Sequence, residues 1–392
     1  MMSGGVDSSV AAALAKQRGF DVTGIHIKMW SDPSIPCRFI EDRHDAMRAA
    51  EHIKIPFETW DLTEEYKHAV VEYMIREYAA GRTPNPDVMC NRHIKFGVVL
   101  TKAIERGADF VATGHYIRKG FRVQGSGFRN NESDPSTPYS LPYTLRVAQD
   151  AQKDQSYFLW TLTQEQLKYC LFPIGEYTKP EVRETARMFG LPTAEKKDSQ
   201  GICFIGEIDV REFLKKHIPA SHGAMITTSG RVVGEHEGTP FYTIGQRHGL
   251  GIGGRPDSGR DEPRRGAAGG IPYYVGAKDP ATNTLTVAQG PYDELLFSRQ
   301  LKVADVHWIS GAPAAFPFAC EARIRYRQPL QKCFIEPDAG SGRPGRASLQ
   351  AGKPEAASLK VKFSDAQRAA TPGQSIVFYQ AEEMLGGGCI NV

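Results

Sequence analysis

The sequence runs to 392 residues, too long for one compact core, so two or three domains are expected. It is 41% hydrophobic and 24% charged, an ordinary globular balance, and no run of about 18 apolar residues offers a membrane span. The net charge of +3 neither demands nor excludes a nucleic-acid partner, since a basic face fits inside a balanced total. Seven cysteines without a C-x-x-C pair argue against a zinc knuckle or a secreted disulfide framework, so reduced intracellular thiols are expected. No secretory or arginine-rich transit pattern precedes the opening "MMSGG".

That opening is a glycine-rich turn running straight into a helix. "VDSSVAAALAKQRG" sets Val6, Val10 and Leu14 on one face, with Gly19 at its end. Such a turn normally follows a strand. Only Met1 and Met2 stand before it, so the central position of the sheet is expected to be unfilled, at a cost to folding and to nucleotide binding. "VTGIHIKMW" then places Ile25, Ile27 and Met29 on one strand face, and "IPFETWDL" is a second strand. "TEEYKHAVVEYMIREYAAG" reads as a helix with Thr63 as N-cap and Gly81 as stop, and "GADFVATGHY" as a strand entering a glycine turn. Helices alternating with strands over residues 1–208 predict an α/β domain with a doubly wound parallel sheet.

After "REFLKKHIP" the punctuation changes. "TLTVAQG", "KVADVHWI", "CEARIRYRQ", "LKVKF" and "QSIVFYQ" are short alternating runs; they predict a small β-rich domain over 209–292 and a C-terminal β-barrel over 293–392. "QGSGFRNNESDPSTPYS", "GGRPDSGRDEPRRGAAGG" and "PDAGSGRPGRASLQAGKPEAAS" lack periodicity and read as mobile surface insertions.

"SGGVDSS" is neither a Walker A loop nor G-x-G-x-x-G, yet it suits phosphate. Gly4 and Gly5 allow a sharp turn that exposes backbone N–H groups, Ser3, Ser8 and Ser9 offer hydroxyls, and the positive end of the helix faces the anion. Asp7 beside phosphate calls for a bridging cation, Mg²⁺. Two cysteines sit in suggestive settings. Cys90 lies in "GRTPNPDVMCNRHIKFG", a proline-stiffened loop where Arg82, Arg92, His93 and Lys95 are expected to favour the thiolate. Cys203 lies in "KKDSQGICFIG", with lysines upstream and a Gly201 turn beside it; Cys170, Cys320 and Cys333 read as small buried hydrophobes.

"SGGVDSS" resembles the signature of the PP-loop ATP pyrophosphatases. Taken in order with "GRTPNPDVMCNRHIKFG", "ATGHY", "KDQSYFLWTL", "DSQGICFIG", "YTIGQRHGLGIGG", "RYRQ" and "TPGQSIVFY", it is similar over nearly the whole length to the tRNA-specific 2-thiouridylases. The resemblance implies a PP-loop (adenine nucleotide hydrolase-like) fold and replacement of O2 of the wobble uridine by sulfur. It implies an ATP site at Met2, Ser3, Gly4, Gly5, Val6, Asp7 and Ser8, with Ile27 and Gly114 as further contacts. It implies Asn85, Pro86 and Asp87 against the target base, and Lys153, Asp154, Gln155, Arg325 and Tyr326 against the tRNA. Cys90 would be the nucleophile and Cys203 the persulfide carrier, ending as a Cys90–Cys203 disulfide. ATP with Mg²⁺, the anticodon loop of tRNA and a persulfide donor (a cysteine desulfurase or a relay protein) are the implied cofactors and partners.

In "RIRYRQ", alternation predicts Arg323, Arg325 and Arg327 on one phosphate-facing strand face, with Tyr326 on the other. Two other readings remain open. A carboxylate-amidating PP-loop synthetase would leave both cysteines idle, and an inactive tRNA-binding paralogue would release no pyrophosphate. The low-complexity insertions favour a mitochondrial location over a cytoplasmic one.

Overall fold

A computed structural model describes residues 1–32, 39–123, 126–129, 142–197, 210–252, 271–311, 313, 315–338 and 358–391. Helix α1 (Val6–Gln17) buries Val6, Val10 and Leu14 and closes before Gly19, whose φ of +89° only glycine adopts freely. Strand β1 (Gly24–Lys28), helix α2 (Phe39–His52) and strand β2 (Phe57–Asp61) follow. β1 and β2 are parallel, with Ile25 opposite Glu58 and Ile27 opposite Trp60. Both faces of β1 are covered, which explains why His26 is buried although the alternating pattern marks only the isoleucine face.

The next two helices each contain a π-helical stretch, a feature that often accompanies functional sites. Helix α3 runs through Thr63–Tyr66, the π-helical Lys67–Val71 and Glu72–Ala79. Helix α4 runs through Pro86–Met89, the π-helical Cys90–Val99 and Leu100–Glu105. Thr63 is the first residue inside α3 rather than its cap: Asp61 accepts its N–H at 3.0 Å and its hydroxyl at 2.6 Å. Then come β3 (Val111–Ala112), β4 (Arg118–Val123), β5 (Ser126–Arg129), β6 (Tyr143–Arg146), α5 (Gln164–Lys168), β7 (Cys170–Leu171) and α6 (Lys179–Met188). β3 pairs in parallel with β7.

Between the β1–β2 pair and the β3–β7 pair lies the place where a strand was expected to be absent. Met1 and Met2 occupy its end. The Met1 amino group donates to the Ala112 carbonyl at 2.7 Å, and the Met2 N–H donates to the Ile25 carbonyl at 2.7 Å. His26 Nδ1 lies 2.8 Å from the Met2 carbonyl, and the Met2 side chain is 2% exposed. These two residues tie the halves of the sheet together just where the chain leaves it for the glycine turn. Among the described residues no strand joins the two pairs, which stand as separate two-stranded sheets linked here only by these two residues. Burial lowers the Met1 ammonium to about 6.

Beyond helix α7 (Val210–Lys215) stands a four-stranded sheet of β8 (Gly223–Thr227), β9 (Val232–His236), β10 (Tyr273–Asp279) and β11 (Thr284–Gln289), in the order β10-β11-β8-β9. The barrel comprises β12 (Phe297–Trp308), β13 (Phe318–Arg323), β14 (Gln331–Pro337), β15 (Leu359–Arg368), β16 (Ser375–Gln380) and β17 (Glu383–Asn391). Its order is β12-β15-β14-β13-β16-β17, and β12 pairs with β17 to close the ring, so no barrel edge is left open. Strands β4, β5 and β6 join this sheet, since Arg146 and Leu145 of β6 pair with Glu383 and Met384 of β17. β5 falls inside the first stretch expected to be a loop; most of that stretch and of the other two insertions lies outside the described residues.

Candidate active site

The glycine turn is rigid and internally bonded. Gly4 has φ +84°, and a Cβ there would stand 2.2 Å from the Asp42 carbonyl oxygen of α2. Ser3 N–H donates to Ser8 Oγ at 3.1 Å, Ser8 Oγ donates to the Gly5 carbonyl at 3.1 Å, and Ser9 Oγ donates to the same carbonyl at 3.0 Å. The hydroxyls of Ser8 and Ser9 are buried and here brace the loop from within. Gly5 is the N-cap of α1 and gives it no side-chain cap, so the anion-attracting end of the helix opens onto the turn. Gly114 closes the cradle from the other side: a Cβ there would lie 2.7 Å from Ser8 N. Ile27 lies near the end of β1, two residues beyond the Met2 partner Ile25.

Asp7 is already engaged. Its Oδ1 accepts from Lys179 Nζ at 2.7 Å and from the Tyr116 hydroxyl at 2.8 Å, and its Oδ2 accepts from Lys179 Nζ at 2.9 Å. A Mg²⁺ ion on this carboxylate would face an ammonium across the same two oxygens, so the donor set does not fit the expected cation. Among the described residues no cluster of three His, Cys, Asp or Glu side chains could hold a metal.

Cys90 begins the π-helical part of α4 and is 2% exposed. The turn before it is held by the barrel. Thr83 N–H donates to the Pro372 carbonyl at 2.8 Å, and Gln374 Nε2 donates to the carbonyls of Thr83 and Pro84, each at 3.0 Å. Asn85 caps the helix by accepting from Val88 N–H at 3.3 Å, with Pro86 at N1, the position where a missing N–H costs nothing. Arg82 makes a two-point ion pair with Glu77, at 2.6 and 2.8 Å, while Arg92 and His93 are exposed and Lys95 is half-buried. Burial raises the Asp87 carboxyl above its usual range, with Lys95 opposing the shift. A cavity of about 580 Å³, lined by Arg92, His93, Thr101, Lys102 and Glu105, begins two residues after Cys90. Cys203 lies outside the described residues.

The stretch 153–158 links these parts. Gln155 Oε1 accepts from Tyr116 N–H at 2.9 Å and Gln155 N–H donates to the Tyr116 carbonyl at 2.9 Å, which fixes the tyrosine that touches Asp7. Asn91 Nδ2 donates to the Phe158 carbonyl at 3.1 Å, and the Tyr157 hydroxyl donates to the carbonyls of Ile324 and Ser375 at 3.2 and 2.8 Å. The Tyr326 ring packs on Phe158 with centroids 4.6 Å apart. Lys153 is half-buried, its N–H held by the Asp150 carboxylate at 3.2 Å.

Two expectations about tRNA contact are corrected. Asp154 is 3% exposed and accepts from Ala148 N–H, Ser156 N–H, Ser156 Oγ and Arg323 Nη1, so its side chain is an internal pin. Arg323, Arg325 and Arg327 do not share a strand face. β13 stops at Arg323, which is buried; Arg325 donates to the Ala369 carbonyl at 2.6 Å; Arg327 has φ +63° and lies over the Tyr326 ring.

Sequence reasoning missed Lys179 and Tyr116. A signal for the first was present: Thr178-x-x-Glu181 is a capping box with Pro180 inside it, which marks a helix start and sets a lysine at its first position.

A glycine cradle heading a parallel α/β unit, closed by a second glycine and joined to two β modules, defines an ATP-binding PP-loop domain with appended β domains. Comparison sharpens this. Models of the tRNA methyl transferase HUP domain, the tRNA methyl transferase PRC-barrel domain and the aminomethyltransferase β-barrel domain match residues 1–207, 211–289, and 298–342 with 343–390. The tRNA-specific 2-thiouridylase MnmA 2 of Geobacillus kaustophilus is 45% identical over 392 residues, covering 100% of this chain and 93% of that one. The tRNA-specific 2-thiouridylases MnmA of Marinobacter nauticus and Streptococcus mutans are each 44% identical, covering 99% and 100% of this chain and 89% and 94% of theirs. The chain belongs to the tRNA-specific 2-thiouridylase family.

Proposed function

We propose that this protein replaces O2 of the wobble uridine of tRNA by sulfur, using ATP to turn that oxygen into a leaving group. One observation carries the reading: the glycine cradle, the Cys90 turn, the 153–158 stretch and the barrel segments at 323–328 and 371–375 are bonded into one assembly. The family's relatives, named as 2-thiouridylases, support thiolation over the methyl transfer in the names of the domain models.

Chemically, uridine O2 attacks the α-phosphorus and pyrophosphate leaves. The outer sulfur of a persulfide on Cys203 attacks C2 and AMP departs. The Cys90 thiolate then attacks the Cys203 sulfur, freeing the thiolated base and leaving a Cys90–Cys203 disulfide that a cellular thiol reopens. The base reaches the site by flipping from the single-stranded anticodon loop, which is inexpensive there. Lys153, Gln155, Arg325 and Tyr326 line the approach in this proposal, with Asn85 and Asp87 against the base and Met2, Val6 and Ile27 beside the nucleotide. No step runs through Mg²⁺ on Asp7. The persulfide comes from a donor protein, a cysteine desulfurase or a relay. The location we propose is mitochondrial, on the low-complexity insertions, and fractionation tests it separately.

The experiment is mass spectrometry of digested tRNA from cells carrying Cys90→Ser or Cys203→Ser. Loss of 2-thiouridine in both, with pyrophosphate release retained in vitro, is the expected result. Undiminished 2-thiouridine in either variant would overturn the scheme.

A further inference from the structure

Two cysteines with no part in the scheme above meet inside the barrel. Cys320 of β13 stands directly opposite Cys333 of β14 in an antiparallel ladder, and their sulfurs lie 3.6 Å apart as free thiols. Both side chains face inward. Cys333 is 2% exposed within the barrel core and Cys320 packs at the margin of that core, while the next pair along, Ala319 and Phe334, faces out. Residues opposed in this way stand about 4.5 or 5.5 Å apart at Cα, and a disulfide spans about 4.4–6.8 Å. Bond formation then needs the sulfurs to close from 3.6 Å to about 2.05 Å. The backbone has room to follow. β13 pairs with β16 only over Glu321–Arg323, so the end that carries Cys320 is laddered to β14 alone and can yield toward it. Cys320 is also partly exposed, which lets a small reagent reach one sulfur of the pair. The bond would close the base of a working hairpin. Between the two cysteines lie Arg323, which pins Asp154, Arg325, which holds the Ala369 carbonyl, and Tyr326, which packs on Phe158.

We propose that Cys320 and Cys333 form a redox modification site: a small disulfide of the oxidised-glutathione class converts them into a cross-strand bridge that clasps this hairpin. The Cys320 thiolate attacks one glutathione sulfur, and the other glutathione leaves as a thiolate. The Cys333 thiolate then attacks the Cys320 sulfur and displaces the glutathione held there. The protein loses two electrons, the glutathione disulfide gains them, and the two thiol protons end on two molecules of reduced glutathione. A reducing thiol pool runs the exchange backwards. Contact with Cys333, burial and the Glu321 charge together push the Cys320 thiol far above its ordinary range, so its thiolate is scarce and the exchange is slow. The pair therefore responds to sustained oxidation and stays apart from the fast sulfur chemistry assigned to Cys90 and Cys203. The bridge forms whatever the chain does to tRNA.

The test incubates the full chain in glutathione buffers, from fully reduced to fully oxidised, until the thiol count is constant. Free thiols are then blocked in denaturant and the protein is digested with trypsin. Arg323, Arg325, Arg327 and Lys332 lie between the two cysteines, so their peptides stay joined only through a disulfide. The joined peptide is expected to dominate in oxidised buffer and to vanish with excess dithiothreitol. Urea unfolding of the same samples reads the clasp. Closing a loop of this size predicts an unfolding constant about 100-fold smaller for oxidised than for reduced protein. Cys320→Ala and Cys333→Ala should each abolish that difference, which separates it from any effect of the other thiols. Cys320→Ala, at the partly exposed position, decides the matter if the buried Cys333→Ala variant fails to fold. Oxidised protein in which both cysteines stay free or carry only glutathione would overturn the proposal. So would a joined peptide that changes the unfolding constant by less than about threefold, since the hairpin would then not be clasped.

Discussion

Replacing Asp154 by alanine tests the claim that this residue pins two domains rather than touching tRNA. Its carboxylate is 2% exposed and takes four donors: Arg323 Nη1, Ala148 N and Ser156 N at 3.2 Å each, and Ser156 Oγ at 2.9 Å. Arg323 has a 10% exposed side chain, its Nε has no hydrogen-bond partner among the described residues, and its guanidinium lies 4.7 Å from the Tyr379 ring centroid. Alanine would strand that guanidinium in a low-dielectric interior, and breaking one side of a buried pair costs about 3–5 kcal/mol. The damage is to the orphaned charge, so removing it should repair much of the loss. Asp154→Ala/Arg323→Met is expected to recover at least half.

Urea unfolding followed by tryptophan fluorescence suits the test. Trp160, 1% exposed and hydrogen-bonded to Ser375 Oγ at 3.0 Å, sits in the same interface. A single variant that loses under about 1 kcal/mol would refute the reasoning, as would a double variant no more stable than the single. Filter binding of tRNA separates the roles. A direct contact would leave the double variant as weak a binder as the single, whereas a pin predicts that binding recovers with stability.

Gly114→Ala should weaken binding of the inert ATP analogue and lower stability by about 1–3 kcal/mol, because the new Cβ meets backbone that cannot yield cheaply. The nearest atoms would be Ser8 N at 2.7 Å and Asp7 C at 2.8 Å, and unchanged titration and melting curves would contradict this. His115 is buried against Phe96 and Phe172, and burial with the Lys95 and Met1 charges holds its pKa well below 6.5. The folded state therefore keeps it neutral while the unfolded chain takes up a proton below its ordinary pKa, so stability falls as pH drops through 6.5 toward 5. His115→Gln should flatten that slope by about 1.4 kcal/mol per pH unit at most, measured by urea titrations at several pH values. An unaltered slope would mean that the ring is already charged when folded.

Much of the cradle was legible because it is local. A pair of glycines, a helical apolar face and a terminal Gly19 are each set by neighbours within a few residues, and they appear where the pattern puts them. Legibility fails where a charge's partner is distant. Asp7 invited a metal because sequence displays the carboxylate but not the ammonium 172 residues away, and Asp154 invited tRNA because Arg323 stands 169 residues off. Alternation failed in "RIRYRQ" for a different reason: period two describes a strand only while the strand continues, and β13 stops at Arg323, before the turn that holds the left-handed Arg327. The π-helical stretch at Cys90 was hidden too, since one extra residue in a turn leaves the apolar spacing almost unchanged.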